Sequence, residues 1–276
     1  MNGATYILQS LAAEGVDHVF MVPGGMNDPF MPGMTAGGVR TIVAAHEGGA
    51  AYMADGYARA SGRLGVAFGI GAPGVFNMAT ALAAARVDRS AVLAISGEVP
   101  TDREGRGGFQ DATGAALDDV SVLKPVTAES LSVAAPALLD GELRSAALTA
   151  LRDRFPVHLS VPLDVQRADV DATWTPLPKA AYRPEIVDEA ALLSFAERFE
   201  IPVATTLPAK GSLAEDHPLS LGVFGYGGSR WAPDAILDPG VEVLMVIGSP
   251  LSQRDTLNWD AKMLPSERQC ATRPGR

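Results

Sequence analysis

The chain has 276 residues, 47% of them apolar and 20% charged, and 22 basic against 32 acidic side chains give a formal charge of −10. That length suggests one large domain or two ordinary ones, and the balance excludes a disordered chain and argues against nucleic acid as a partner. The single cysteine, Cys270, excludes an internal disulfide or a cysteine-based metal cluster. With no basic leader and no apolar run of about 18 residues, neither a signal peptide nor a membrane span is expected, and a cytoplasmic location is the default expectation.

In chain order, Ala4–Glu14 reads as a helix, with Ile7, Leu8, Leu11 and Ala12 on one face. Val16–Val22 reads as a strand closed by Pro23-Gly24-Gly25, and Arg40–Ala44 as a second strand. His46–Ala60 is a helix ended by Gly62, and Leu64–Ile70 a third strand. A glycine turn then opens a helix from Pro73 to Val87. Ala91–Ser96 is a fourth strand, Val126–Thr127 a short fifth, Leu143–Arg154 a helix and Val157–Val161 a sixth strand. Strands alternating with helices predict an α/β fold with a doubly wound, mostly parallel six-stranded sheet. Residues 167–189, rich in proline, read as an exposed connector. A second, incomplete α/β domain follows, with a helix over Ala190–Glu200 and strands at Ile201–Thr206 and Val241–Ile247. Arg268–Arg276, with three arginines and no acid, reads as a tail.

Three places carry candidate chemistry. Gly69-Ile70-Gly71-Ala72-Pro73-Gly74 fits G-x-G-x-x-G between a strand and a helix, and Glu98 lies past the next strand, where a ribose-binding acid would sit. A nucleotide-binding oxidoreductase reading is therefore open. Against it, the motif follows the third strand, and Pro73 removes an N–H that would face a pyrophosphate. Pro23-Gly24-Gly25 is either a tight turn or a close backbone approach to a ligand. Glu47 stands in the first turn of the helix HEGGAAYMADGYARA, directly after a strand. Acids are favoured there by the helix dipole alone, but the C-terminal end of a strand is also where ligands of open α/β sheets are met.

Five separated motifs then resemble one family: VDHVFMVPGG, AAHEGGAAYMADGYARASGRLGVAFGIGAPGVFNMATALAAA, VLAISGEVP, GGFQD and VHLSVPLDVQ. They are similar to the N-terminal pyrimidine-binding domain of thiamine-diphosphate-dependent enzymes of the acetolactate synthase-like superfamily. IPVATTLPAKGSLAEDHPLSLGVFG and VLMVIGSPLSQRDT resemble the central domain of the same enzymes. The resemblance implies that Glu47 binds the cofactor's aminopyrimidine at N1′ and controls its protonation, so that the thiazolium C2 proton can leave and the cofactor can attack a small 2-oxo acid. It implies that Gly24 and Gly25 admit the cofactor, that Pro73, Gly74 and Asn77 line the pyrimidine pocket, and that Phe109 and Gln110 lie near the substrate entrance. His46 reads as a cap or packing residue.

The family's G-D-G diphosphate motif is not found. Asp55-Gly56 follows Ala54, and Asp140-Gly141 follows Leu139. Mg²⁺ and the diphosphate are thus expected only from another domain or a partner chain, and no metal ligand is assigned here. The expected organisation is a pyrimidine-binding domain over 1–170, a linker over 171–189, a partial central domain over 190–264 and a tail over 265–276. The expected function is a decarboxylase or carboligase of acetolactate synthase type, shared with a second copy or a partner chain. The alternative is a truncated, non-catalytic fragment. The small, apolar helices around Ala50–Ala58 and Met78–Ala85 are expected to present an apolar surface to another chain.

Overall fold

The computed structural model describes residues 1–36, 38–182, 189–249, 251–263 and 269–271. The chain divides into two compact units, Met1–Pro184 and Glu185–Arg276.

The first unit is built on six strands: β1 His18–Met21, β2 Arg40–Val43, β3 Gly65–Ile70, β4 Val92–Glu98, β5 Glu129–Ser132 and β6 Val157–Pro162. They lie in the order β2-β1-β3-β4-β6-β5, and every pairing is parallel. The helices are α1 Gly3–Ala13, α2 Met31–Ala36, α3 Glu47–Ser61, α4 Pro73–Val87, α5 Asp119–Leu123, α6 Leu139–Asp153 and α7 Leu163–Arg167. Strand alternation sorts side chains onto two faces. Val19, Met21, Val66, Phe68, Leu93 and Ile95 point into one core with α1 and α6, where Phe30 meets Phe68 edge-on at 4.9 Å. Phe20, Ala67, Val92 and Ala94 point into the other, against α3 and α4.

The helix ends follow from local chemistry. Asn2 caps α1 by accepting the Thr5 N–H at 2.9 Å. Gly62, at φ 69°, ends α3 in the left-handed conformation. Ala72 is the exception, standing at φ 53°, ψ −99° directly before Pro73, the first residue of α4. An L residue is strained there, and the following proline narrows its options further. Strain of this kind persists where the surroundings impose it. Ala72→Gly is therefore expected to stabilise the chain by about 1 kcal/mol, read as a higher urea midpoint at unchanged m-value.

Three expectations are corrected in this unit. The fifth strand lies at Glu129–Ser132, not Val126–Thr127, because Val126 ends a short 3-10 segment, Lys124–Val126. On the helices expected to present an apolar surface, Tyr52 and Met53 of α3 are exposed, but Ala50, Ala51, Ala54, Ala58, Met78, Ala81, Leu82 and Ala85 are turned inward. They are buried where α3 and α4 meet each other and the sheet. The first part of the expected connector packs on the core, with Val170, Ala172 and Trp174 partly buried against it and Leu177 fully buried. The Trp174 indole N–H and the Leu177 N–H both donate to Glu14.

The second unit holds α8 Glu189–Phe199, β7 Val203–Thr205, β8 Ser220–Val223, α9 Trp231–Ile236, β9 Val243–Met245 and β10 Gln269–Ala271. Its strands form two separate parallel pairs, β7 with β8 and β9 with β10. Strands of three or four residues bury little, and the fully buried core is Phe224, Ala232 and Met263. A cavity of about 430 Å³, lined by Phe195, Val203, Thr205, Phe224, Leu244 and Met245 among others, lies beside that core. Gln269–Ala271 falls inside the stretch expected as a tail yet pairs with β9, while residues 264–268 and 272–276 lie outside the described residues. Among the described residues no helix is long and apolar enough to cross a membrane.

Candidate functional site

The chain leaves β1 for β2 on one side and returns past β1 to β3 on the other. The C-terminal ends of β1 and β3 therefore splay their connections apart, which opens the crevice where open α/β sheets bind ligands. Gly24 follows β1 and the turn Gly71–Pro73 follows β3. Between them stands Ile70: a Cβ on Gly24 would lie 2.6 Å from Ile70 Cγ2, and one on Gly74 would lie 2.9 Å from Ile70 Cγ1. Both positions thus require glycine for close approach.

Glu47 opens α3 on the far side of Gly74. His46 caps this helix, its Nδ1 accepting the Gly48 N–H at 3.0 Å, so His46 has a structural assignment. The Glu47 side chain is half-buried. Asn77 Nδ2, one turn into α4, donates to Glu47 Oε2 at 2.8 Å. The other oxygen, Oε1, lies over Gly74, where a Cβ would stand 3.3 Å from it. Among the described residues no protein donor reaches Oε1. The carboxylate thus has one oxygen fixed and one offered above a floor that carries no side chain.

The structure brings Glu47, Gly74 and Asn77 into one group, with Gly24 joined to it through Ile70. Pro73 begins α4, is exposed and presents no N–H. Gly25 opens the 3-10 segment Gly25–Phe30, with open space where a Cβ would be. Among the described residues no hydrogen bond joins Phe109 or Gln110 to this group. They lie on the loop between β4 and α5, with the Phe109 ring 81% exposed and Gln110 half-buried at φ 61°. A left-handed conformation at a non-glycine residue is held by its surroundings.

Glu98 does not offer itself to a ribose. It is 1% exposed, and its carboxylate accepts the N–H of Val99 at 2.7 Å and of Ala112 at 3.2 Å to each oxygen. Burial pushes its carboxyl up to about 7 against the pull of those bonds. The acid required by a dinucleotide reading is thus turned into the protein. Two contributors left no mark in the sequence patterns. Ile70 hides in an apolar strand. Asn27, buried beside β4, donates from Nδ2 to Gly69 O at 2.8 Å while its Oδ1 has no partner.

Comparisons with known proteins agree with this architecture. Residues 1–121 match the thiamine pyrophosphate enzyme N-terminal TPP binding domain, and residues 187–271 match the thiamine pyrophosphate enzyme central domain. The chain belongs to the thiamine pyrophosphate (thiamine diphosphate) enzyme family. It is 34% identical over 292 residues to the probable acetolactate synthase large subunit of Methanocaldococcus jannaschii, covering 93% of this chain and 48% of that protein. It is 32% identical over 306 residues to the acetolactate synthase large subunit of Corynebacterium glutamicum, covering 97% and 48%. The glyoxylate carboligase of Escherichia coli O157:H7 is 35% identical over 289 residues, covering 93% and 47%. The chain thus spans about half the length of the curated relatives it matches.

Proposed function

We propose that this chain supplies the pyrimidine-binding half of a thiamine diphosphate site in a 2-oxo acid decarboxylase or carboligase of acetolactate synthase type. One observation carries the reading: the Glu47 carboxylate, half-buried at the switch point, with Oε2 tied to Asn77 and Oε1 set over Gly74. A carboxyl group so presented fits a flat aminopyrimidine, which needs a proton-sharing oxygen at one ring nitrogen and a floor without side chains. The bound cofactor supplies carbanion stabilisation next to a carbonyl, and the protein supplies position and proton control.

Each residue has a task in this reading. Glu47 is the catalytic residue, sharing a proton between Oε1 and the ring nitrogen. Asn77 positions it by holding Oε2. Gly24 and Gly74 keep the crevice open, with Ile70 as the wedge between them. Gly25 and Pro73 border the crevice, and Phe109 and Gln110 stand at its substrate side. The diphosphate and Mg²⁺ are assigned to residues of another domain or partner chain, and none of the residues described here is given that role.

The test is complementation. The chain is mixed with a polypeptide bearing a family diphosphate-binding domain, and exchange of the cofactor's C2 proton for deuterium is followed by NMR. Exchange faster than with either polypeptide alone supports a shared site. No acceleration, with the two polypeptides shown to associate, overturns it.

A further inference from the structure

Glu98 has no task in the proposal above, yet it is the more deeply buried of the two carboxylates that end or follow strands at this edge. It is 1% exposed and, among the described residues, no ion pair reaches it. The charged groups bearing on it are acids, Asp119 of α5 and Asp111 of the loop that leads into α5. Asp28 of the 3-10 segment is exposed, and Asp164 of α7 is bonded to Thr101. A neutral side chain would fill this space without the cost of burying an acid, so what the carboxylate touches is informative.

It touches two segments. One is the loop that returns to the sheet at Ala112, two residues after Gln110, with its N–H bonded to both carboxylate oxygens. That loop is a folded piece: Asp111 accepts the N–H of Gly105 at 2.9 Å, the N–H of Thr113 at 3.1 Å and the Thr113 hydroxyl at 2.7 Å. The other is the glycine turn after β3. A Cβ on Gly71 would lie 2.4 Å from Glu98 Oε2, and the Gly71 N–H donates to Gly97 O at 2.7 Å. The turn therefore rests on the carboxylate from one side while the loop hangs on it from the other.

We propose that Glu98 is a positioning residue that couples the Phe109–Gln110 loop to the glycine turn carrying Gly74 and Asn77, fixing the spacing between the substrate side and the cofactor side of the site. The roles of those two sides rest on the function proposed above, whereas the coupling belongs to this chain by itself. It asks of Glu98 two acceptor oxygens of fixed reach, which glutamine supplies in part and leucine not at all.

The test is amide hydrogen exchange by NMR on the full chain, comparing the wild type with Glu98→Gln and Glu98→Leu. In Glu98→Leu the amides of both Ala112 and Gly71 are expected to exchange about tenfold faster, while those of Phe68, Ile95 and Leu159 keep their protection. Glu98→Gln is expected to restore most of the protection. It should also abolish the titration of the Ala112 amide shift, with a midpoint at about 7, that is expected of the wild type. Loosening of Ala112 without Gly71, or of neither, overturns the coupling. Should Glu98→Leu fail to fold, Gly71→Ala presses a methyl onto the same carboxylate from the opposite side; unchanged exchange at Ala112 then overturns it equally. A failure of cofactor proton exchange with these amides behaving as expected would sink the proposed function and leave the coupling standing.

Discussion

Glu47→Gln is expected to slow exchange of the cofactor's C2 proton by about 10²–10⁴-fold in the complemented enzyme, the range typical of losing a positioned acid or base. The substitution is nearly isosteric, so the α3 cap at His46 and the floor at Gly74 stay as they are. Asn77 Nδ2 still requires an acceptor, and the remaining amide oxygen meets it. The new NH₂ then takes the place of Oε1 and faces the crevice. An amide there can donate a hydrogen bond to a ring nitrogen but cannot pass a proton to it. Stability is expected to change by less than about 0.5 kcal/mol, because the site is half-buried and no buried partner is orphaned. Unchanged exchange would remove Glu47 from the mechanism.

The second large effect concerns His158, remote in kind from the site but central to the sheet. It is 0% exposed, with Nε2 2.8 Å from Ser96 Oγ and Nδ1 2.8 Å from Ser130 Oγ. Burial holds the imidazole down at about 3, and burial pushes neighbouring Asp119 up to about 6. The unfolded chain takes up a proton near the ordinary value of 6.5, whereas the folded chain refuses it until about 3. The stability that neutral His158 contributes is therefore complete above pH 6.5 and is lost below it at about 1.4 kcal/mol per pH unit. Glu98 and Asp119 act in the opposite sense: their folded values are raised, so their cost is absent below their ordinary values of about 4, grows as pH rises above them, and is complete once pH passes about 6 to 7. A comparison of variants separates the two. His158→Asn is expected to be destabilised at pH 7, since two buried serine hydroxyls lose a partner, and its deficit should shrink by on the order of 5 kcal/mol towards pH 3. Urea midpoints across that range measure the difference; a deficit independent of pH would show that the imidazole is charged in the folded chain.

The sheet was largely legible because its elements have strong local causes. β1, β3, β4 and β6 are apolar runs, and α3 and α4 start and stop on caps and a proline. β5 was misplaced because its sequence, Glu-Ser-Leu-Ser, is polar. It is held by its parallel ladder with β6, and by Ser130 reaching His158, a partner 28 residues away. The helix α2, which follows a proline-containing 3-10 segment, gave no periodic signal. The alanine-rich faces of α3 and α4 announced close packing but not its direction, since composition reports the size of a side chain and not the neighbour it meets. At the candidate site, the adjacency of Glu47, Gly74 and Asn77 needed the pairing of two helices whose starts are 26 residues apart. The inward turn of Glu98 needed the loop that folds back over it.

The alanine-packed side of the sheet has a mechanical consequence. Ala50, Ala51, Ala54 and Ala58 seat α3 directly on its neighbours, and Glu47 is the first residue of that same rod. An added methylene anywhere along this seam cannot be absorbed by a rotamer change and must lift the rod as a whole. Mutations far down α3 would then be felt as fractions of an ångström at the carboxylate. Laboratory evolution aimed at the candidate site would find adjustment screws there, well away from Glu47 itself.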